Sequence, residues 1–212
     1  LESAERILQA SQKVTTTFMI AEQAQYWTDV IKARELMDAG AIGEVISASG
    51  NFYDRVVIDP DAPPPWRYSL AISGGGVTMD GGAHWIRPLR MMMGEVDEVM
   101  GVAGRHVPRM ESESWSRMLM KFENGTVGML TCQNVMHASG PTDMFRITGS
   151  EGELQITGGR DGQLLLFNKE HPRGEVIMSA VEGKRNSYGE EIKDFCKVVL
   201  DGVTMAATPE FS

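Results

Sequence analysis

The chain has 212 residues, 42% of them hydrophobic and 23% charged, which is ordinary for a globular protein and enough for a sizeable core. Its formal net charge of −9 argues against nucleic-acid binding, because phosphate contacts need clustered lysine and arginine. No apolar run approaches the roughly 18 residues of a membrane-spanning helix, and two cysteines do not make a disulfide framework. We expect neither nucleic acid nor a membrane as a partner.

The first part of the chain predicts two helices and two strands. Helical spacing of apolar residues predicts a helix in LESAERILQAS, and a β-branched run predicts a strand from Val14 to Ala21. A second helix is predicted in QYWTDVIKARELMDAG, where Gly40 is a stop signal, and EVISASGNFYD is typical of a strand. The segment DPDAPPPWRYSLAISGGG is rich in proline and glycine, so it predicts a long loop suited to binding.

The second half predicts a sheet followed by a helix. Short runs punctuated by Gly, Asn or Asp predict strands in DEVMGVAG, SWSRMLMKF, TVGMLTCQNV, MFRITGS, ELQITGG, GQLLLFN and EVIMSAV. ENGT between two of them predicts a hairpin turn, and YGEEIKDFCKVVLDG predicts a closing helix. The fold class is therefore α+β, with a large, mostly antiparallel, open-faced sheet and helices on one face.

A helix over VTMDGGAHWIRPLRMMM would place Asp80 and His84 one turn apart on the same face. Three interpretations are open: a carboxylate that orients a proton-handling imidazole, two metal ligands that lack the rest of a set, or a structural hydrogen bond. Pro88 predicts a kink or a late helix start. Gly81 and Gly82 weaken the first turn, which is tolerable if another molecule must approach closely there.

The stretch PWRYSLAISGGGVTMDGGAHWI resembles the Gfo/Idh/MocA family of NAD(P)-dependent sugar and polyol oxidoreductases, with its Trp-Arg, glycine run and Asp-x-Gly-x-His. AEQAQYW, IKARELMDAGAIGEVISASG, MKFENGTVGML and ITGSEGEL are also similar to family segments, so the resemblance covers nearly the whole chain. It implies that residues 1–22 are the last helix and strand of a missing Rossmann domain. Residues 23–212 would be the C-terminal substrate-binding and oligomerisation domain, truncated before the family's final helix.

The resemblance also implies site roles. His84 would be the acid/base or orienting imidazole on the substrate side, Asp80 would bind a sugar hydroxyl or orient the site, and Tyr188 would contact substrate. Helix-start packing is the stronger alternative for Tyr188. No metal ligand is implied.

Three further residues are implied to approach NAD or NADP: Gln23, which stands where the family usually has Asn, and Trp66 and Arg67. Each of the last two also has a structural alternative. Trp66 could pack the loop against the sheet, and Arg67 could form a surface ion pair. Arg87 and Pro88 depart from the family pattern, so the resemblance does not define the substrate.

The implied activity is hydride transfer between a nicotinamide cofactor and a hydroxyl or carbonyl of a sugar, polyol or related cyclic alcohol. Because the Rossmann domain and its lysine would precede Leu1, this chain alone is expected to be inactive. The alternatives are a non-catalytic sugar-binding or oligomerisation module and a metal-dependent sugar-modifying enzyme. Apolar residues on both faces of GQLLLFN predict a homodimer or homotetramer through the sheet. We expect a cytoplasmic protein, with periplasmic export left open by the missing start.

Overall fold

The computed structural model describes residues 2–57, 59–137, 143–158, 162–179, 183–209 and 211. Its α-helices are α1 (Glu2–Ser11), α2 (Thr28–Asp38), α3 (Leu70–Ser73), α4 (Ala83–Met93) and α5 (Gly183–Asp201). Two 3₁₀ turns (Gln23–Tyr26 and Trp66–Tyr68) and a π-helical turn (Thr78–Gly82) join them. The strands are β1 (Val45–Arg55), β2 (Val96–Gly104), β3 (Trp115–Phe122), β4 (Val127–Val135), β5 (Asp143–Gly149), β6 (Gly152–Thr157), β7 (Gln163–Asn168) and β8 (Glu175–Ser179).

The eight strands form one sheet in the order β2-β3-β4-β1-β5-β6-β7-β8. Only the β1–β4 pair is parallel among these neighbours, and the others are antiparallel. The β3–β4 turn is the predicted ENGT hairpin: Gly125 has φ +84°, and Asn124 Oδ1 accepts a hydrogen bond from Thr126 N at 3.0 Å. The predicted α+β class with a mostly antiparallel sheet is confirmed.

Helices cover one face of the sheet, where alternate strand residues are buried. In β4 Leu130 and Cys132 point to this face and are buried, whereas Val127 and Met129 remain exposed on the other. Helix α4 buries Leu89 against this layer. Each apolar side chain fully buried here contributes about 1.5–3 kcal/mol. The same alternation that forms the core thus leaves the opposite face open.

Two local predictions were wrong. Val14–Ala21 is irregular rather than a strand, because a strand needs a hydrogen-bonded neighbour and no described strand pairs with it. The segment predicted as an irregular loop contains a 3₁₀ turn at Trp66–Tyr68 and the short helix α3, which ends at Gly74 in a left-handed conformation. The first helix forms as predicted, but α1 buries none of its described residues. No helix in the described ranges is long and apolar enough to cross a membrane.

Candidate functional site: two carboxylate pairs around a π-helical turn

The residues around Asp80 wind as a π-helical turn because two glycines allow the turn to lie directly on the sheet. A Cβ at Gly81 would collide with the Phe52 ring of β1, and one at Gly82 would meet Cys132 Sγ of β4 at 2.7 Å. The glycines therefore permit close approach of the chain's own sheet. Contact with the sheet is thus a reason for both glycines that does not require another molecule.

Helix α4 starts at Ala83, directly after the π-helical turn, and continues through Pro88 to Met93. The α-helix therefore does start late, but only because a wider π-helical turn takes the place of its first turn. Met92 and Met93 are buried in the core, so the methionine-rich end of this helix serves packing. His84 consequently lies in the first turn of a helix that packs against the sheet before its start, at Gly81 and Gly82, and against the core at its end.

His84 is held by Glu22, which precedes the 3₁₀ turn Gln23–Tyr26. Its Nδ1 lies 2.8 and 2.9 Å from the two carboxylate oxygens of Glu22. The Glu22 side chain is only 13% exposed and also accepts a hydrogen bond from Ala24 N at 2.9 Å. The hydrogen bond to Glu22 raises the pKa of His84 against the opposing effect of burial, and the negative charges of Glu22, Asp80 and Glu191 raise it further.

Asp80 pairs with Arg67 instead of His84. Arg67 Nε lies 3.0 Å from Asp80 Oδ2, and both side chains are more than half exposed. The Arg67 guanidinium stacks on the Trp66 ring at 4.6 Å from its centroid. Trp66 is 55% exposed, so it does not plug the loop. The open interpretation in which Asp80 orients the His84 ring does not match these contacts: Glu22 contacts His84 Nδ1, and Asp80 acts on His84 through its charge.

Trp66, Arg67 and Asp80 line a cavity of about 240 Å³ over the carboxyl-terminal end of β1. Asp54 of β1 and Asn134 of β4 line it too, side by side in the parallel pair. Burial raises the pKa of the Asp54 carboxyl, and Asn134 Oδ1 is buried without a hydrogen bond to any described residue. Hydrogen-bonding side chains on an apolar wall are typical of a small-molecule site.

Gln23 and Tyr188 are brought together although they are far apart in the chain. Gln23 Nε2 donates to the Tyr188 hydroxyl at 3.5 Å, and Tyr188 is 59% exposed on α5. The Gln23 Oε1 atom is buried and finds no donor among the residues described. A predicted cofactor residue and a predicted substrate residue thus meet beside the His84 pair.

Four polar residues of the site were not predicted from the sequence: Glu22, Glu191, Asp54 and Asn134. Glu22 stands directly before Gln23 in the family-like segment AEQAQYW, so its position in the sequence was a usable signal. The other three carry no local signal, since strand and helix packing alone brings them to the site. No group of three or more His, Cys, Asp or Glu side chains in the described part could hold a metal ion. The interpretation of Asp80 and His84 as metal ligands therefore gains no support.

The sequence and the fold of this chain are similar to those of known proteins. Residues 30–155 match the family description "GFO/IDH/MocA C-terminal domain". The chain belongs to this family. The match includes Trp66, Arg67, Asp80 and His84, whereas Glu22 lies outside it.

Relatives of this GFO/IDH/MocA chain include characterised sugar dehydrogenases. Levoglucosan dehydrogenase of Pseudarthrobacter phenanthrenivorans is 23% identical over all of this chain and 64% of its own length. D-xylose 1-dehydrogenase [NADP(+)] of Haloarcula marismortui is 32% identical over 44% of this chain and 26% of its own. A solved levoglucosan dehydrogenase in complex with NADH and levoglucosan superposes with a TM-score of 0.83 at 21% identity, covering 99% of this chain and 64% of that one. This chain thus spans about two thirds of these longer proteins.

Proposed function

We propose that this GFO/IDH/MocA chain is the substrate-side part of an NAD- or NADP-dependent dehydrogenase or reductase of a sugar, polyol or related cyclic alcohol. The observation that carries the proposal is the His84–Glu22 pair, a 38% exposed imidazole fixed by a mostly buried carboxylate. Asp80, four residues before His84, lines the cavity together with Asp54. The sugar dehydrogenases among the relatives support the substrate class.

The site would act on a hydroxyl through His84. Because Nδ1 is committed to Glu22, Nε2 is the nitrogen that remains to exchange a proton with the reacting oxygen. In the reducing direction the imidazolium, favoured by Glu22, donates this proton to the carbonyl oxygen; in oxidation the neutral ring accepts it. Asp80 and Asp54 would accept hydrogen bonds from other hydroxyls of the ring.

Gln23 fits a nicotinamide carboxamide. Its buried Oε1 atom lacks a donor among the described residues, and a carboxamide N–H would satisfy it. A bound nicotinamide dinucleotide supplies the hydride acceptor or donor at such a site. Trp66 and Arg67 lie on the rim of the Asp80 cavity, where they would exclude water from the bound substrate.

The open face of the sheet would bind a second copy of the chain. Leu119 and Met129 are 46% and 59% exposed there, and Leu165 and Phe167 of β7 are half-buried on the same face. Apolar side chains on the uncovered face of a sheet are stabilised by a partner. We expect light scattering at micromolar concentration to give at least twice the mass of the monomer, and a monomer mass would refute this arrangement.

A substrate screen tests the activity. The full-length protein, with its nucleotide-binding domain, is incubated with NAD or NADP and a panel of sugars and inositols, and reduced nicotinamide is followed by absorbance. We expect turnover with at least one sugar or polyol and none from residues 1–212 alone. Sugar binding by calorimetry without turnover of any panel member by the full-length protein would favour the non-catalytic alternative.

A further inference from the structure

Helix α5 presents three polar side chains to the segment that holds His84. Tyr188 accepts a hydrogen bond from Gln23, and Asp194 Oδ2 accepts one of 2.8 Å from the Tyr26 hydroxyl. Glu191 lies between these two contacts in the helix and is 5% exposed. Because residues 188, 191 and 194 are three apart on one face of the helix, these contacts place Glu191 against the segment Glu22–Tyr26.

The Glu191 carboxylate is poorly compensated. Its Oε1 atom is buried and makes no hydrogen bond within the described part of the chain. Burial raises the pKa of Glu191, the nearby charge of Glu22 raises it further, and His84 lowers it. A buried carboxylate without a full set of partners is unfavourable, and glutamine would have almost the same shape without the charge. Stability alone does not explain a glutamate here.

We propose that Glu191 is a positioning residue of the site, which acts with Glu22 to hold the His84 imidazole in its protonated form. Glu22 makes the direct contact with His84, and Glu191 adds a second negative charge from helix α5. The groups that face this cluster are Glu22 and Tyr26 before α2, Asp80, His84 and Arg87 around the start of α4, and Asp194 on α5. The use of this charge in proton transfer rests on the proposed function, whereas its effect on His84 does not.

The test is an NMR titration of the His84 ring in the unmutated chain and in Glu191→Gln. We expect a downward shift of the His84 pKa in Glu191→Gln, because an ionised neighbour that favours the imidazolium is removed. The matched control is Glu190→Gln on the same helix, since Glu190 is exposed and pairs with Lys193 at 2.6 Å. An unchanged His84 pKa in Glu191→Gln, with Glu22→Gln lowering it in the same experiment, would overturn the proposal.

Two further measurements separate this effect from a purely structural one. Glu191→Asp retains the charge, so its His84 pKa should lie nearer the unmutated value than that of Glu191→Gln.

The second measurement is thermal stability as a function of pH. A Glu191 carboxyl whose folded pKa is raised costs stability above its unfolded pKa, and the cost fades as the pH falls. We therefore expect Glu191→Gln to raise Tm at pH 8 and to lose that advantage towards pH 4. A lower Tm at every pH together with an unchanged His84 titration would show a structural role only. Failure of the sugar screen would leave the titration result intact.

Discussion

The His84 side and the Asp80 side of the π-helical turn have pairs of nearly equal length in different surroundings. His84 and Glu22 are 2.8 Å apart, with the Glu22 side chain 13% exposed, whereas Arg67 and Asp80 are 3.0 Å apart and both more than half exposed. An exposed ion pair contributes about 0–1 kcal/mol because water and salt screen it. The pair with the mostly buried carboxylate instead raises the pKa of its histidine. The two pairs therefore differ in burial rather than in distance.

The largest effect is expected from His84→Ala in a longer protein that includes the proposed nucleotide-binding domain. If His84 exchanges the substrate proton, kcat should fall by about 10²–10⁴-fold, the usual range for a positioned acid or base. The fold should survive, because alanine favours the helix. The measurement is kcat and KM with a thermal melt of the same sample.

His171→Ala is the matched control, since His171 also pairs with a glutamate, Glu175, at 2.9 Å but far along the chain in the β7–β8 connection. Its kcat should be unchanged. A normal kcat in His84→Ala would remove the catalytic assignment, and a lower Tm with near-normal turnover per folded molecule would make His84 structural.

Gly81→Ala tests the turn that separates the two pairs. The new methyl group would collide with the Phe52 ring, so we expect a loss of about 1–3 kcal/mol of unfolding free energy. The control is Gly189→Ala in α5, where a Cβ meets nothing within 4 Å; a helix-interior alanine there should stabilise by about 0.5–1 kcal/mol. Urea unfolding measures the free energy of unfolding of each variant and of the unmutated chain. A Gly81→Ala chain as stable as the unmutated one would show that the turn can move off the sheet.

Glu22→Gln tests the pH dependence of the less exposed pair. The pKa of His84 is raised in the folded state, so the pair's stabilisation is present in full below the unfolded histidine pKa and is lost as the pH rises through the folded one. In Glu22→Gln the decrease of Tm with rising pH that comes from this pair should largely disappear. Melts from pH 5 to pH 9 (roughly the range in which histidine titrates) provide the check, and an unaltered pH profile would contradict the assigned pair.

The smallest effect on stability is expected from Asp80→Asn on the exposed side. Removal of its charge should change the unfolding free energy by about 0–1 kcal/mol, because both partners are exposed. If the longer protein has the proposed activity, KM should rise more than kcat falls, and the histidine limb of the pH profile should move down because Asp80 raises the pKa of His84. A kcat loss as large as that of His84→Ala would abolish the distinction between the two sides.

Local patterns were sufficient for most of the secondary structure. The strands after Glu95 alternate apolar and polar residues between glycine-rich turns, so the strands were predicted. The hairpin between β3 and β4 was predicted because the four residues ENGT are typical of a tight turn. The strand predicted at Val14 failed because an extended segment depends on a neighbour that a local pattern does not reveal. The position of β1 between β4 and β5 likewise depends on contacts between distant segments.

The sequence by itself determined the fold class, the family resemblance and the choice of the stretch from Trp66 to His84 as a candidate site, because these depend on residues close together in the chain. Only the tertiary structure decided which carboxylate contacts His84. The partner is Glu22, 62 residues away, rather than Asp80, four residues away. The physical reason is that Gly81 and Gly82 let the turn approach the sheet, while Asp80 pairs with Arg67 and the imidazole meets Glu22.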